Sequence, residues 1–273
     1  MVGVTRGDVN DSWLDLCDVV VEEADGALDR IAENLAKHPV TTTTLALLLR
    51  GQEHVSAGEG LVAESAAYSV LQSGPEFAAW RAAHPARTAR DEGPRVRVDR
   101  DGGILTITLT RPARRNALDA LMRDELTEAL TLAAADPDIT RVELRGEGDA
   151  FCAGGDLDEF GTRPDPATAH VIRLERNIGR RLARLHAPTV THLHGACMGS
   201  GIELAAFTDI VLAEADTQIA LPEIGLGLIP GAGGTVSLPR RIGRLRTAWL
   251  AFSGSTIDAA TARAWGLVDE LVS

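Results

Sequence analysis

Glu203 and Glu223 stand twenty positions apart, each beside a glycine-rich turn: Met198-Gly199-Ser200-Gly201-Ile202-Glu203, and Pro222-Glu223-Ile224-Gly225 onward to Gly233-Gly234. Paired carboxylates next to side-chain-poor backbone suit proton transfer on a carbonyl compound, because exposed amides can hold the oxygen on which charge develops. The loop Phe151-Cys152-Ala153-Gly154-Gly155-Asp156 offers a second place from which an N–H would face an oxyanion. The pattern is that of an enzyme.

These residues need elements to hold them. Strands fit residues 189–194 and 209–213, with a short helix between them that begins near Gly201 and carries Glu203. The turn Gly195-Ala196-Cys197-Met198-Gly199-Ser200-Gly201 would leave N–H groups unpaired at the positive end of that helix, where negative charge is stabilised. Upstream, the spacing predicts a hairpin over 95–110 with its turn at Asp101-Gly102-Gly103, a helix over 119–135 and a strand over 140–145. An amphipathic helix over 167–186 follows, stopping before Pro188. Strand and helix alternate, which predicts an α/β class. Residues 12–84 read as helical, with apolar positions at Leu28, Ile31 and Leu35, then Leu61, Tyr68 and Leu71, then Phe77 and Trp80. Residues 85–94 are polar with prolines at both ends, as in a linker. The expected organisation is a helical subdomain over 1–84, a linker over 85–94 and a catalytic core over 95–273.

A chain of 273 residues with 45% hydrophobic content can bury a full core. Its formal net charge of −12 weighs against nucleic acid and anionic membrane surfaces, so an anionic ligand needs a local basic patch, for which residues 111–115 are the candidate. Cys17, Cys152 and Cys197 make no paired framework, and the sequence carries neither a charged-then-apolar leader nor an apolar run of spanning length. The cytosol is the expected compartment. Cys152 and Cys197 read as small packing residues, since neither has a base nearby in sequence. His192 and His194 share a strand face without an evident third ligand, so no metal is expected. Gly231-Ala232-Gly233-Gly234-Thr235 lacks the lysine of a nucleotide-binding P-loop, and no separate cofactor is expected.

Four blocks in order resemble the crotonase (enoyl-CoA hydratase/isomerase) superfamily: Arg111-Pro112 to Asn116-Ala117-Leu118, Phe151 to Asp156, Gly199-Ser200-Gly201-Ile202-Glu203-Leu204-Ala205, and Leu221-Pro222-Glu223 to Gly233-Gly234-Thr235. The resemblance covers residues 95–272. It implies the crotonase-like spiral of repeated ββα units, which in this family is followed by a helical segment. Here helices of that kind stand in front instead, with a similar Gly60-Leu61-Val62-Ala63-Glu64 start, so the resemblance implies a circular permutation.

Carried over residue by residue, the resemblance places oxyanion-hole amides at Gly155 and Ser200, holding the thioester oxygen of an acyl-CoA. Glu203 would activate a water and Glu223 would deliver the proton to the α-carbon. Arg111, Arg114, Arg115, Ala117, Leu118, Ala153 and Asp156 would meet the CoA moiety. Read from their own positions, Leu226, Leu228, Ile229 and Val236 either line an acyl pocket or pack in the core, two equally good readings. Serine at 200, where glycine is more usual, would be strained if the hole demanded positive φ there. Coenzyme A enters only as part of the substrate, and a homotrimer or dimer of trimers is the implied assembly. The expected activity is enoyl-CoA hydration. An enoyl-CoA isomerase or another acyl-CoA enzyme such as a hydrolase is the first alternative, and a catalytically poor subunit that binds acyl-CoA or a partner is the second.

Overall fold

The structure, a computed structural model, describes residues 1–5, 11–23, 26–87, 93–162 and 165–272. The chain opens with strand β1 (Val2–Thr5), the short helix α1 (Asp11–Leu14) and strand β2 (Val19–Glu22), which pairs in parallel with β1. This pair was not expected within a segment read as helical. The run Val19-Val20-Val21 is β-branched, and it buries Val19 and Val21 in the period-two pattern of a strand. Four helices follow, α2 (Ala27–Lys37), α3 (Pro39–Gly51), α4 (Ala57–Gln72) and α5 (Pro75–Ala83). Pro39 and Pro75 sit in the first turns of α3 and α5, where a missing N–H costs nothing. Glu76 on α5 accepts from the Val40 and Thr41 N–H groups at the start of α3, and Ser56 with Glu59 forms a capping box on α4.

Of the expected linker, residues 88–92 lie outside the described residues. Beyond it come β3 (Val96–Asp101), β4 (Ile104–Leu109), α6 (Ala120–Ala135), capped by Asp119, and β5 (Arg141–Gly146). The expected helix over 167–186 is two helices, α7 (Pro166–Glu175) and α8 (Ile178–Leu182). Asn177 between them accepts from the Arg180 N–H and starts the second. Then come β6 (Thr189–Leu193), β7 (Ala196–Met198), α9 (Ser200–Ala205), β8 (Ile210–Glu214) and β9 (Gln218–Ala220). The chain continues with α10 (Gly234–Ser253), β10 (Ile257–Asp258), α11 (Ala259–Trp265) and β11 (Glu270–Val272).

Six strands make one sheet in the order β11-β8-β6-β5-β4-β3, parallel except for the β3–β4 hairpin, and β10-β9-β7 make a second. Two successive turns of the chain lay one strand in the large sheet and the next in the small one, β6 then β7 and β8 then β9. Bridges from Ala150 to Gly195 and from Cys152 to Cys197 bring the loop after β5 alongside β7. This is the ββα spiral. The hydrophobic core runs without a break from it into the N-terminal helices: Ile31, Leu45, Leu71 and Phe77 belong to the same buried cluster as Leu105, Ile202 and Phe252. Among the described residues no helix is long and apolar enough to cross a membrane.

Candidate functional site

Two crossing segments build the backbone of the site. The Leu118 N–H donates to Gly154 O at 2.8 Å and Leu118 O accepts from the Asp156 N–H at 2.9 Å. A strand residue bonded on both sides in this way leaves its opposite number, Gly155, with its own N–H turned away from Leu118, toward the cavity. The second amide is that of Ser200, first residue of α9, whose N–H has no intrahelical carbonyl to meet. Neither N–H donates to a carbonyl among the described residues.

The unusual backbone that aims the Ser200 amide belongs to the residue before it. Gly199 has φ 46 and ψ −119, whereas the only described non-glycine residues with positive φ are Arg115 and Asn116. Serine at 200 is therefore unstrained, and the demand for glycine falls one position earlier.

Gly155, Ser200, Glu203 and Glu223 all line one cavity of about 170 Å³. Glu203 rides on α9 and is 2% exposed; its Oε2 accepts from the Ala232 N–H at 2.7 Å and the Gly234 N–H at 2.8 Å. Glu223 lies at the start of a 3-10 turn (Glu223–Leu226), with its carboxylate packed over Gly199. Among the described residues Glu223 Oε2 has no hydrogen-bond partner. Burial pushes the Glu223 carboxyl up to about 8. Burial also lifts Glu203 well above the ordinary carboxylate range, with the charges of Glu223 and Glu64 adding to the rise.

The rest of the cavity wall comes from further along the chain. Tyr68 on α4 lies against Gly231, where a side chain would overlap its ring, and Arg173 of α7 sits over the other part of that ring with Cζ 4.4 Å from the centroid. Phe160, Ile172, Ile178 and Leu204 supply apolar surface. Leu226, Leu228, Ile229 and Val236 do not line this cavity. Leu228, Ile229 and Val236 are wholly buried among core side chains, and Leu226 packs half-buried against that core. A run of apolar residues beside a site motif does not distinguish a core wall from a cavity wall, and here the space between α4, α7 and α9 is the one left open.

The basic turn is also arranged differently from the expectation. Arg111 is buried, with Nη2 2.7 Å from Asp156 and Nη1 3.5 Å from Asp119, and it donates to Ala117 O at 2.7 Å. Arg95 closes the chain of charges, 2.9 Å from Asp119. Arg111 thus faces inward and fixes Asp156 and Ala117 rather than meeting solvent, because two carboxylates on adjoining elements offer it desolvated partners. Arg114 is half-buried at 3.5 Å from Asp158, and Arg115 is exposed while its carbonyl accepts from the Ala153 N–H. Asn116, fully buried at φ 53, accepts from the Arg111 N–H and donates to Glu147 O and Ala150 O, locking this turn to the loop that carries Gly155. Leu118 and Asp156 reach the cavity; Ala117 and Ala153 are half-buried beside it.

Cys152 and Cys197 are buried and unpaired, and burial raises both thiols, Cys152 to about 11, which suits packing and not nucleophilic attack. His192 lies 3.4 Å from Glu143, and His194 bonds Gly148 O at 3.0 Å.

Sequence reasoning missed Tyr68, Arg173 and Glu64. Glu64, 1% exposed on α4, accepts from the Gly233 and Thr235 N–H groups. The sequence marked it only as the acid that ends the Gly60-Leu61-Val62-Ala63-Glu64 helix start, without a role at the site.

The chain is similar to known proteins. Residues 99–273 match the family model described as enoyl-CoA hydratase/isomerase. The chain is 36% identical over 174 residues to the 2,3-dehydroadipyl-CoA hydratase of Escherichia coli K12, covering 64% of this chain and 68% of that protein. It is 38% identical over 175 residues to the 1,2-epoxyphenylacetyl-CoA isomerase of the same organism, covering 62% and 66%. The crystal structure of enoyl-CoA hydratase from Thermoplasma volcanium GSS1 superposes with a TM-score of 0.62 at 38% identity, covering 66% of this chain and 72% of that one. With the family model spanning well over half of its length and the ββα spiral in place, the chain belongs to the enoyl-CoA hydratase/isomerase family.

Proposed function

We propose that the protein hydrates an α,β-unsaturated acyl-CoA thioester. The observation that carries this reading is that two carboxyl groups, Glu203 and Glu223, wall the same cavity as the inward-aimed amides of Gly155 and Ser200. The thioester oxygen sits between the two N–H groups, and each such donor in a dry site contributes about 3–4 kcal/mol to the enolate-like transition state. Buried carboxyls that share one small site cannot all be ionised, and hydrogen-bond donors decide where the charge goes. Two amides converge on Glu203 while Glu223 Oε2 has none, so Glu203 is the base that activates water and Glu223 carries the proton to the α-carbon. Water and proton add from one side of the double bond in this reading, with both acids in the same cavity.

The acyl chain runs between Phe160, Ile172, Ile178 and Leu204, and the CoA moiety leaves past Leu118, Ala117, Ala153 and Asp156 toward Arg114 and Arg115. Arg111 serves indirectly, by holding Asp156. A rate assay on crotonyl-CoA tests the reading. Turnover to the 3-hydroxy product supports it; shift of a 3-enoyl-CoA double bond without hydration replaces it by the isomerase, and binding without turnover replaces it by the acyl-CoA-binding subunit.

The circular permutation belongs to the same proposal. Each relative named above has about a third of its length unmatched, and residues 1–98 of this chain lie outside the family match. A local repeat supports it further. The Asp269 N–H donates to Val211 O at 2.8 Å and its carboxylate accepts from the Val211 N–H, after which β11 pairs in parallel with β8. The Asp18 N–H likewise donates to Met1 O at 2.8 Å and its carboxylate accepts from the Met1 amine, after which β2 pairs in parallel with β1. β2 thus leads into α2–α5 with the geometry that β11 has at the other end. A chain in which residues 19–84 are relinked behind residue 268 should fold and turn over; loss of folding in that chain would count against permutation. A cytosolic homotrimer or dimer of trimers completes the proposal, and light scattering that finds only monomer would remove the assembly.

A further inference from the structure

The loop 231–233 turns into α10 through Gly233, at φ 107 and ψ 5 in the left-handed region, and the N–H groups of this helix start are shared between two carboxylates. Ala232 and Gly234 donate to Glu203 Oε2, at 2.7 and 2.8 Å. Gly233 and Thr235 donate the other way, to Glu64: Gly233 N–H to Oε1 at 2.7 Å and Thr235 N–H to Oε2 at 2.9 Å. The Thr235 hydroxyl adds a third donor to Glu64 at 2.7 Å and accepts from Gln52 Nε2 at 3.2 Å. Ser237 Oγ donates to Glu203 O at 2.8 Å, tying the helix that carries Glu203 to the same loop. One strip of backbone is therefore held between two carboxylates, one inside the cavity and one behind it.

We propose that Glu64 is a positioning residue for Glu203: by gripping the far side of the 233–235 backbone it fixes the two amides that set the Glu203 carboxylate. The inference rests on the hydratase reading. A glycine-rich loop has little stiffness of its own, and Gly231, Gly233 and Gly234 supply no side chain to anchor it. Close packing on both faces leaves no room for substituents: a Cβ at Gly234 would stand 2.6 Å from Glu203 Cγ, and one at Gly60, a turn before Glu64, would stand 2.9 Å from Val236 Cγ2. Position and register of the loop thus depend on Glu64, which is buried near the Arg173 charge, and on Gln52, which donates to the same Thr235 hydroxyl. Acting through Glu203, Glu64 affects kcat and leaves substrate affinity to the rest of the cavity. The N-terminal helices then supply the rear half of the catalytic support as well as the Tyr68 wall.

A double-mutant cycle with crotonyl-CoA separates this role from generic support of the fold. Glu64→Gln should lower kcat at least tenfold with KM changed less than threefold, and the same change in a Glu203→Gln background should lower kcat less than twofold further. Full loss in both backgrounds, or a Glu64→Gln enzyme within twofold of wild-type kcat, overturns the inference. If Glu64→Gln does not fold, Thr235→Val removes one donor to Glu64 without touching Glu203. A severalfold fall in kcat, absent in the Glu203→Gln background, supports the role, and an unchanged kcat overturns it. Wild-type protein that hydrates nothing overturns the functional reading and this inference together, whereas wild-type turnover indifferent to Glu64 overturns the inference alone.

Discussion

Gly199→Ala and Ser200→Gly alter neighbouring residues by a few atoms, yet the structure sets their consequences far apart. At φ 46 and ψ −119, Gly199 occupies backbone space that costs an L-residue about 1–3 kcal/mol. An added Cβ would also overlap Glu223 Oε1, with the Glu223 carboxyl carbon at 3.5 Å and Gly154 Cα at 3.8 Å, so the carboxyl group must leave its place over the oxyanion site. Any backbone rotation that relieves the clash re-aims the Ser200 N–H, whose loss alone is worth about 100- to 1,000-fold in kcat. Displacing the acid Glu223 contributes a further factor of similar order, and the two are not additive.

Gly199→Ala should therefore lower kcat at least a thousandfold and stability by about 2 kcal/mol. Ser200→Gly keeps the donor and relieves no strain; it should cost under about 1 kcal/mol of helix stability and leave kcat within about threefold. Initial rates of crotonyl-CoA hydration, with thermal melts for both variants, measure this. A Gly199→Ala enzyme with more than a tenth of the wild-type kcat would refute the placement of the turn. So would a hundredfold loss in Ser200→Gly, which would mean that position 200 itself needs the left-handed region.

Other outcomes follow from the same geometry. Glu203→Gln and Glu223→Gln should each cost about 100- to 10,000-fold in kcat, and two variants at full rate would end the acid–base assignment. Burial raises Glu64 to about 7 and Glu223 to about 8 from 4.5, so the folded chain keeps protons that the unfolded chain has released. Their contribution is complete below pH 4.5 and is lost as pH rises to about 8, with a slope of up to about 1.4 kcal/mol per unit for each group. Because His192, lowered by burial, acts in the opposite sense near its ordinary pKa, the quantity to measure is the difference between wild type and Glu223→Gln. The wild-type melting temperature should fall relative to the variant from pH 5 to 8, and a parallel pair of curves would contradict the burial argument. Arg111→Met leaves Asp156 buried without the Arg111 cation, while Asp119 keeps Arg95, and should destabilise by about 3–5 kcal/mol; Arg115→Ala should raise KM severalfold at unchanged stability. Denaturant titration and KM for crotonyl-CoA distinguish the two, and a stable Arg111→Met enzyme with raised KM would restore Arg111 to the CoA surface.

What could be read in the sequence was what is local in it. Glu203 announces itself because a glycine turn, a short helix start and the acid fall within six residues, and the β6 and β8 strands that flank it carry their own β-branched signal. The turn 111–118 was equally visible as a unit, but its arginines looked alike there. Arg111 differs from Arg115 only because Asp119 and Asp156, on two other segments, draw it inward. Leu228 and Ile229 were placed at the pocket because they adjoin a motif, and nothing in their own spacing says which side of the wall they face. Asn177 divides a continuous amphipathic pattern into α7 and α8 through a cap that the apolar period conceals.

Glu64 is the extreme case, since its partner Gly233 lies 169 positions away. In sequence it is an acid inside an apolar helix, a local conflict that becomes favourable only when a loop with more donors than acceptors arrives from the far end of the chain. The N–H groups of Gly233 and Thr235, in a glycine-rich loop entering a helix, are a liability until an acceptor is buried against them. A carboxylate buried on α4 is costly until donors surround it. Each cost offsets the other at one contact, so the helical segment and the spiral acquire a shared site when they pack. Catalytic support and docking of the two parts are then the same set of hydrogen bonds, which is why a change at Glu64 must be read through Glu203 as well as through stability.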